Sequence, residues 1–292
     1  MIAASRTRAT ILVIVLMLVG LPVGAQPAEE HHFDVGDAPS SFMKDGKLDI
    51  DAVVDYFENL YRSDSSISVA ELVVKRPRNT RRLTMKAWTR GEEKALVVIQ
   101  SPPREEGVAT LRVGDNLWNY FPRIRRTIRI PPSMMQSAWM GSDFTNDDLV
   151  RETSYDEDYT YDLVGRSEDP SGWLIRFEAK PEIVGLWNTI ELIVSDDGRI
   201  PLEAKYYDRK DRLARTMLWS EVKEFDGRRI PARMTLLPRD KNEEWREEHP
   251  EKATEMKQGE YPYKTEMIYE DIDFDVNVPE STFSLSRLER KR

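Results

Sequence analysis

From residue 66 to residue 274 the chain is a succession of short segments with strand character, and this succession constrains the fold more than any other feature. "SISVAELVVKRP" (66–77) leads into "RRLTMKAWTR" (81–90), where Leu83, Met85 and Ala87 face one way and Thr84, Lys86 and Trp88 the other. "KALVVIQSP" (94–102) is apolar on both faces, "VATLRV" and "LWNYFP" form a hairpin across "GDN", and "RIRRTIRI" follows. Similar segments recur to "KTEMIYEDIDF" (264–274), joined by turn chemistry at Asp197-Gly198, Asp208 to Asp211 and Asp226-Gly227. Roughly ten to twelve strands in meander order, with few helices between them, predict a mainly β (α+β) fold built on one antiparallel sheet.

Three segments break this pattern. "LDIDAVVDYFENLYRSD" (48–64) carries Ile50, Val53, Val54, Phe57, Leu60 and Tyr61 at helical spacing behind a candidate N-cap, Asp49. "PPSMMQSAWMG" (131–141) opens on two prolines and closes on glycine, which suits a short helix with Met134, Met135, Ala138 and Trp139 on one arc. Residues 239–262 are dense in charge and poor in apolar side chains, an excursion between two strands that is expected to be partly helical before Pro250.

The N-terminus speaks to compartment. Arg6 and Arg8 precede an uncharged apolar run, and Val23-Gly24-Ala25 offers small residues at a cleavage site, so residues 1–25 read as a secretory signal peptide cut after Ala25. Residues 26–47, polar and rich in Pro, Gly, Asp and Glu, read as a flexible leader, and residues 48–288 as a single domain. The chain has no cysteine, which excludes disulfides, thiol catalysis, cysteine metal ligands and a lipid-modified export signal. Its 292 residues are ample for the large core that such a chain needs. The formal charge is −9, which excludes nucleic acid as a general partner.

Candidate chemistry is sparse. Asp143, Asp147 and Asp148 stand close together, but a calcium loop counted from Asp143 has Asp148 where glycine is required and Ser154 where the final acid belongs. Thr145 followed by Asp148 instead resembles a helix capping box. Three histidines, no G-x-S-x-G, no P-loop and no G-x-G-x-x-G leave no enzyme signature, and no metal or cofactor is expected. Arg123, Arg125 and Arg129 fall on one side of a predicted strand, either protecting a sheet edge or forming a docking surface for an anionic headgroup or acidic partner. Trp88, Trp118, Tyr120, Trp187 and Trp219, with Met134, Met135, Trp139 and Met140, either pack the core or line and close an apolar cavity.

The stretches 58–77, 81–132 and "MGSDFTNDDLV" (140–150), with the closing "VPESTFSLS" (278–286), resemble the outer-membrane lipoprotein-sorting (LolA-like) family, and in particular the branch associated with RND/MMPL-type transporters. The likeness runs from about Leu48 to Leu285 and is most specific between Met85 and Asp148. It implies an unclosed, strongly curved half-barrel with short helices over its concave face. It also implies a cavity for lipid or lipoprotein acyl chains, a periplasmic location, a possible inner-membrane RND/MMPL-type transporter as partner, and no catalytic residue. A monomer is the expected state. The charged excursion 239–262 departs from the family pattern, and no arginine is matched to the residue that controls cargo release in the family.

Overall fold

The computed structural model describes residues 41–91, 93–150, 155–183, 187–257 and 259–289. The expected signal peptide and most of the expected leader lie outside them. The strands are β1 (Met43–Lys44), β2 (Lys47–Leu48), β3 (Ser65–Arg76), β4 (Asn79–Arg90), β5 (Lys94–Ser101), β6 (Ala109–Val113), β7 (Asn116–Phe121) and β8 (Arg126–Arg129), then β9 (Tyr159–Glu168), β10 (Ser171–Ala179), β11 (Thr189–Val194), β12 (Pro201–Tyr207), β13 (Leu213–Phe225), β14 (Arg228–Pro238) and β15 (Lys264–Phe274). The helices are α1 (Ile50–Asn59), α2 (Asp147–Val150), α3 (Tyr155–Asp158), α4 (Arg239–Glu248), α5 (Pro250–Glu255) and α6 (Leu285–Glu289).

Thirteen strands make one antiparallel sheet in the order β8-β7-β6-β5-β4-β3-β15-β14-β13-β12-β11-β10-β9. It is two meanders joined where the first long strand, β3, pairs with the last, β15. The sheet is large, curved and not closed into a barrel, with short helices on its concave face, as the family resemblance implies.

Strand alternation divides the side chains between the two faces. Leu72, Leu83 and Met85 point to the concave side, and across the other meander so do Leu236, Met217, Ala204, Leu192 and Ile175. Helix α1 lies on this face. Asp49 accepts the Ala52 N–H as the expected cap, and Val53, Val54, Tyr56 and Leu60 are buried against the sheet. Burying each such aliphatic side chain is worth about 1.5–3 kcal/mol, so apolar contact alone holds this helix down. The chain is anchored earlier than Leu48: Phe42 is buried in the same core and its N–H donates to the Asp197 carbonyl at 2.8 Å. Below it, Gly198 has φ +77, and a Cβ there would stand 2.8 Å from Leu48 and 3.0 Å from Val53. Only glycine fits a turn that must pass this close beneath the helix.

On the other face, Leu96, Leu111, Trp88, Trp118 and Tyr120 pack against the C-terminal Val278, Phe283 and Leu288. The charged excursion 239–262 is folded as α4 and α5 over most of its length. Buried Asn242 closes it at the base: its amide nitrogen donates to the Pro238 and Tyr263 carbonyls, and its oxygen accepts the Tyr263 N–H.

Candidate functional site: a polar-latched cover over the concave face

The segment 131–150 is not one helix. Pro132–Met134 and Trp139–Gly141 are separate single turns of 3-10 helix, split by a turn, a bend and an isolated bridge from Ala138 to Thr145, and Met140 and Gly141 both have positive φ (49° and 68°). The reason is polar. Arg81 donates to the Met140 carbonyl at 2.6 Å and Arg76 to the Gly141 carbonyl at 3.1 Å, and these bonds hold a backbone path that a continuous helix cannot follow. The expected arc of Met134, Met135, Ala138 and Trp139 is therefore not formed. Met134 and Ala138 are exposed, Met135 packs on Leu117 and Ile130, and Trp139 (1 % exposed) is sunk among Leu72, Leu83, Met85 and Ile99. Its indole N–H donates to Thr110 Oγ1 at 3.0 Å.

The aspartates hold this cover to the sheet. Thr145 and Asp148 form the expected capping box: the Thr145 N–H donates to the Asp148 carboxylate at 2.7 Å, and the Asp148 N–H donates to Thr145 Oγ1 at 3.1 Å. The same carboxylate accepts from both terminal guanidinium nitrogens of Arg215, at 2.8 and 2.7 Å. Arg215 reaches inward from β13, and its guanidinium lies over the rings of Trp187 (4.5 Å) and Tyr206 (4.6 Å). Burial pushes the Asp148 carboxyl up, but Arg215 and the two Thr145 donors outweigh it and hold the group below the ordinary carboxylate range. Asp143, with its side chain 1 % exposed, accepts from Arg76 at 2.9 and 3.2 Å, from Lys241 of α4 at 2.8 Å and from the Thr265 hydroxyl at 2.7 Å. The first and third of the aspartates are thus taken by different cations and converge on no common point.

Between this cover and α1 the register lines up a row of soft side chains. Trp219 pairs with Met234, Met234 with Met267, and Met267 with Leu72, across β13, β14, β15 and β3. Trp219, Met234 and Met267 are only partly buried. Phe57 and Tyr61 border the row from the α1 side and Phe144 from the cover, and Phe144 touches the cores of both meanders. Tyr61 stacks on Tyr269 at 5.5 Å and donates to the Pro231 carbonyl at 2.8 Å; burial pushes the Tyr269 hydroxyl up to about 12.

The residues nominated from the sequence do not form one cavity wall. Trp219 lies in the concave row, and Met140 packs beside Trp139. Trp187 is a ring against Arg215, and Trp88, Trp118 and Tyr120 sit on the opposite face under the C-terminal segment. Trp88 and Met85, an odd number of residues apart on β4, face opposite ways as their spacing predicts, so they could not line one cavity. Met234, Met267 and Phe144 were not singled out, and Phe57 was placed only on the apolar stripe of the first helix; the period-2 position of Met234 and Met267 in their strands was the available signal. Arg123, Arg125 and Arg129 are exposed, but the first two lie in the β7–β8 turn, not on a strand. A separate groove of about 290 Å³, lined by Lys75, Arg76, Trp245, Lys252, Glu255 and Glu260 among others, is too charged for an acyl chain.

Three solved structures share this arrangement of strands. A DUF1329 family protein from Desulfovibrio piger has a TM-score of 0.67 at 20% identity, covering 81% of this chain and 96% of its own. A putative outer membrane lipoprotein-sorting protein domain from Vibrio parahaemolyticus has a TM-score of 0.64 at 18% identity, covering 81% and 97%. A LolA superfamily protein from Nitrosomonas europaea has a TM-score of 0.60 at 17% identity, covering 81% and 98%. No curated protein matches the chain. A family model described as "-like: Uncharacterized protein" matches residues 91–290, more than half of the chain. The chain belongs to that family, and its fold is LolA-like.

Proposed function

We propose that the chain is a non-catalytic periplasmic carrier that holds acyl chains of a lipid or lipoprotein against the concave face of its sheet. It hands them between envelope components, an RND/MMPL-type transporter among them. The observation that carries this reading is the row Trp219–Met234–Met267, floored by the sheet and only partly covered by Phe57, Tyr61 and Phe144. Methionines and aromatics adapt to a flexible chain, and each CH₂ taken from water is worth about 0.8 kcal/mol, so holding such a ligand needs no reactive group. The structural likeness to lipoprotein-sorting proteins agrees with it.

The test is lipid extraction and native mass spectrometry of protein purified from its own envelope, with titration by a fluorescent fatty acid. Phe144→Ala and Met267→Glu are expected to weaken probe binding, with Asp147→Ala as the control that leaves it unchanged. If no lipid co-purifies and the wild-type protein ignores the probe, the carrier reading fails. Affinity purification from solubilised envelopes tests the transporter clause separately; recovering no such transporter removes that clause alone.

A further inference from the structure

We propose that the β7–β8 hairpin is a docking surface for an anionic phospholipid bilayer. Four arginines, Arg123, Arg125, Arg126 and Arg129, fall within seven residues, and no aspartate or glutamate occurs between Asp115 and Asp143 in a chain that has 52. The molecule as a whole is acidic, so this end is the one it turns toward a negative surface. The hairpin also carries exposed apolar bulk. Ile124 in the turn is 60% exposed, the highest value among the exposed large hydrophobic side chains of the described residues, and Ile128 on β8 is 45% exposed.

Edge protection accounts for part of this. β8 ends the sheet and pairs only with β7, so charge on it discourages strand addition. That does not explain Ile124, which protects no edge, nor Arg125, which holds φ 50° at a turn position where asparagine or glycine is less strained. An isoleucine at a turn tip with arginines on both sides suits the boundary of a bilayer, with the apolar tip among acyl chains and guanidinium groups at the phosphates. A hairpin with a four-residue outer strand offers too little area for a stable protein interface by itself. Among the described residues the neighbouring side-chain hydrogen bonds leave the tip out: Arg129 donates to Asn116, and Thr127 to Glu289 of α6.

The docking does not depend on cargo, and its test reads no cargo. Full-length mature protein is sedimented with vesicles of phosphatidylglycerol and phosphatidylcholine, and with phosphatidylcholine alone, at low and raised ionic strength. Binding is expected only to the anionic vesicles and is expected to fall with salt. The triple variant R123E/R125E/R126E should lower the partition coefficient on the order of a hundredfold. Ile124→Ser should lower it less while leaving the charge intact. Both substitutions are at exposed sites, and an unchanged denaturant melt and far-UV circular dichroism spectrum confirm that the fold is intact. Equal binding to both vesicle types, or triple-variant binding equal to wild type, overturns the proposal. So does capture of an acidic protein through this hairpin by a chain that ignores vesicles.

Discussion

The concave face carries two covers, and they are held by different physics. Helix α1 is seated by apolar contact: Val53, Val54, Tyr56 and Leu60 leave almost nothing exposed. The 137–149 cover has one deep apolar anchor, Trp139, and otherwise depends on Asp143, Asp148 and the arginines that meet them. Apolar seating resists pH and salt and comes apart only with the fold. A polar latch depends on charge state, and opening it hydrates the ions it releases, so it can open locally. The two covers thus differ in how they can be displaced, and under the carrier proposal the polar-latched side is the one that opens to a ligand.

The sharpest way to break this contrast is Leu60→Ala. Removing a buried leucine leaves a cavity and is expected to cost about 2–5 kcal/mol of global stability, read by denaturant melts. A loss confined to hydrogen exchange of α1 would contradict the seating described here. Next is Asp148→Asn, which leaves the Arg215 charge without its counter-ion. A buried pair broken on one side costs about 3–5 kcal/mol, but local opening of 137–149 caps what appears globally. We expect a smaller global loss than for Leu60→Ala, together with faster amide exchange over 137–149 and faster fatty-acid uptake. Third, acid should loosen the 137–149 cover more than α1, where the depressed carboxyl is the partly exposed Asp49 cap. The Asp148 carboxyl is depressed in the folded protein, so its contribution is complete above the ordinary carboxylate value near about 4 and is lost as pH falls through its lower folded value. Exchange over 137–149 should therefore rise below that pH before α1 responds; simultaneous loss of both would erase the distinction. The smallest effect is Asp49→Ala, which removes the α1 cap and should cost about 1 kcal/mol in the same melts with no change in probe binding.

The long strands and α1 were legible because each rests on local periodicity, and Asp49 caps α1 as its position suggests; the pairing of β3 with β15, which joins two meanders into one sheet, was not. The capping box at Thr145 and Asp148 was legible for the same reason. What the cover is made of was not. Asp148 and Arg215 are 67 residues apart, and Arg76 and Asp143 equally so, and nothing local links them. One trace existed: Arg215 stands between Leu213 and Met217 at strand period, so it had to face inward and needed a buried acid. The helical reading of 131–141 failed because Arg76 and Arg81, from distant strands, capture its carbonyls. The two faces stayed unresolved because aromatics were taken by type, whereas strand parity decides the side.

The pairing of β3 with β15 sets the timing of assembly. Ser66 meets Phe274 and Lys75 meets Lys264, so the seam between the meanders joins positions about two hundred residues apart, a separation whose closure is entropically expensive and slow. Each meander can zip from its own hairpins, but the continuous sheet exists only after the last strand has been made. Until then both halves present raw backbone at the future seam, so a chain shortened before Lys264 is expected to aggregate rather than to fold as half a molecule.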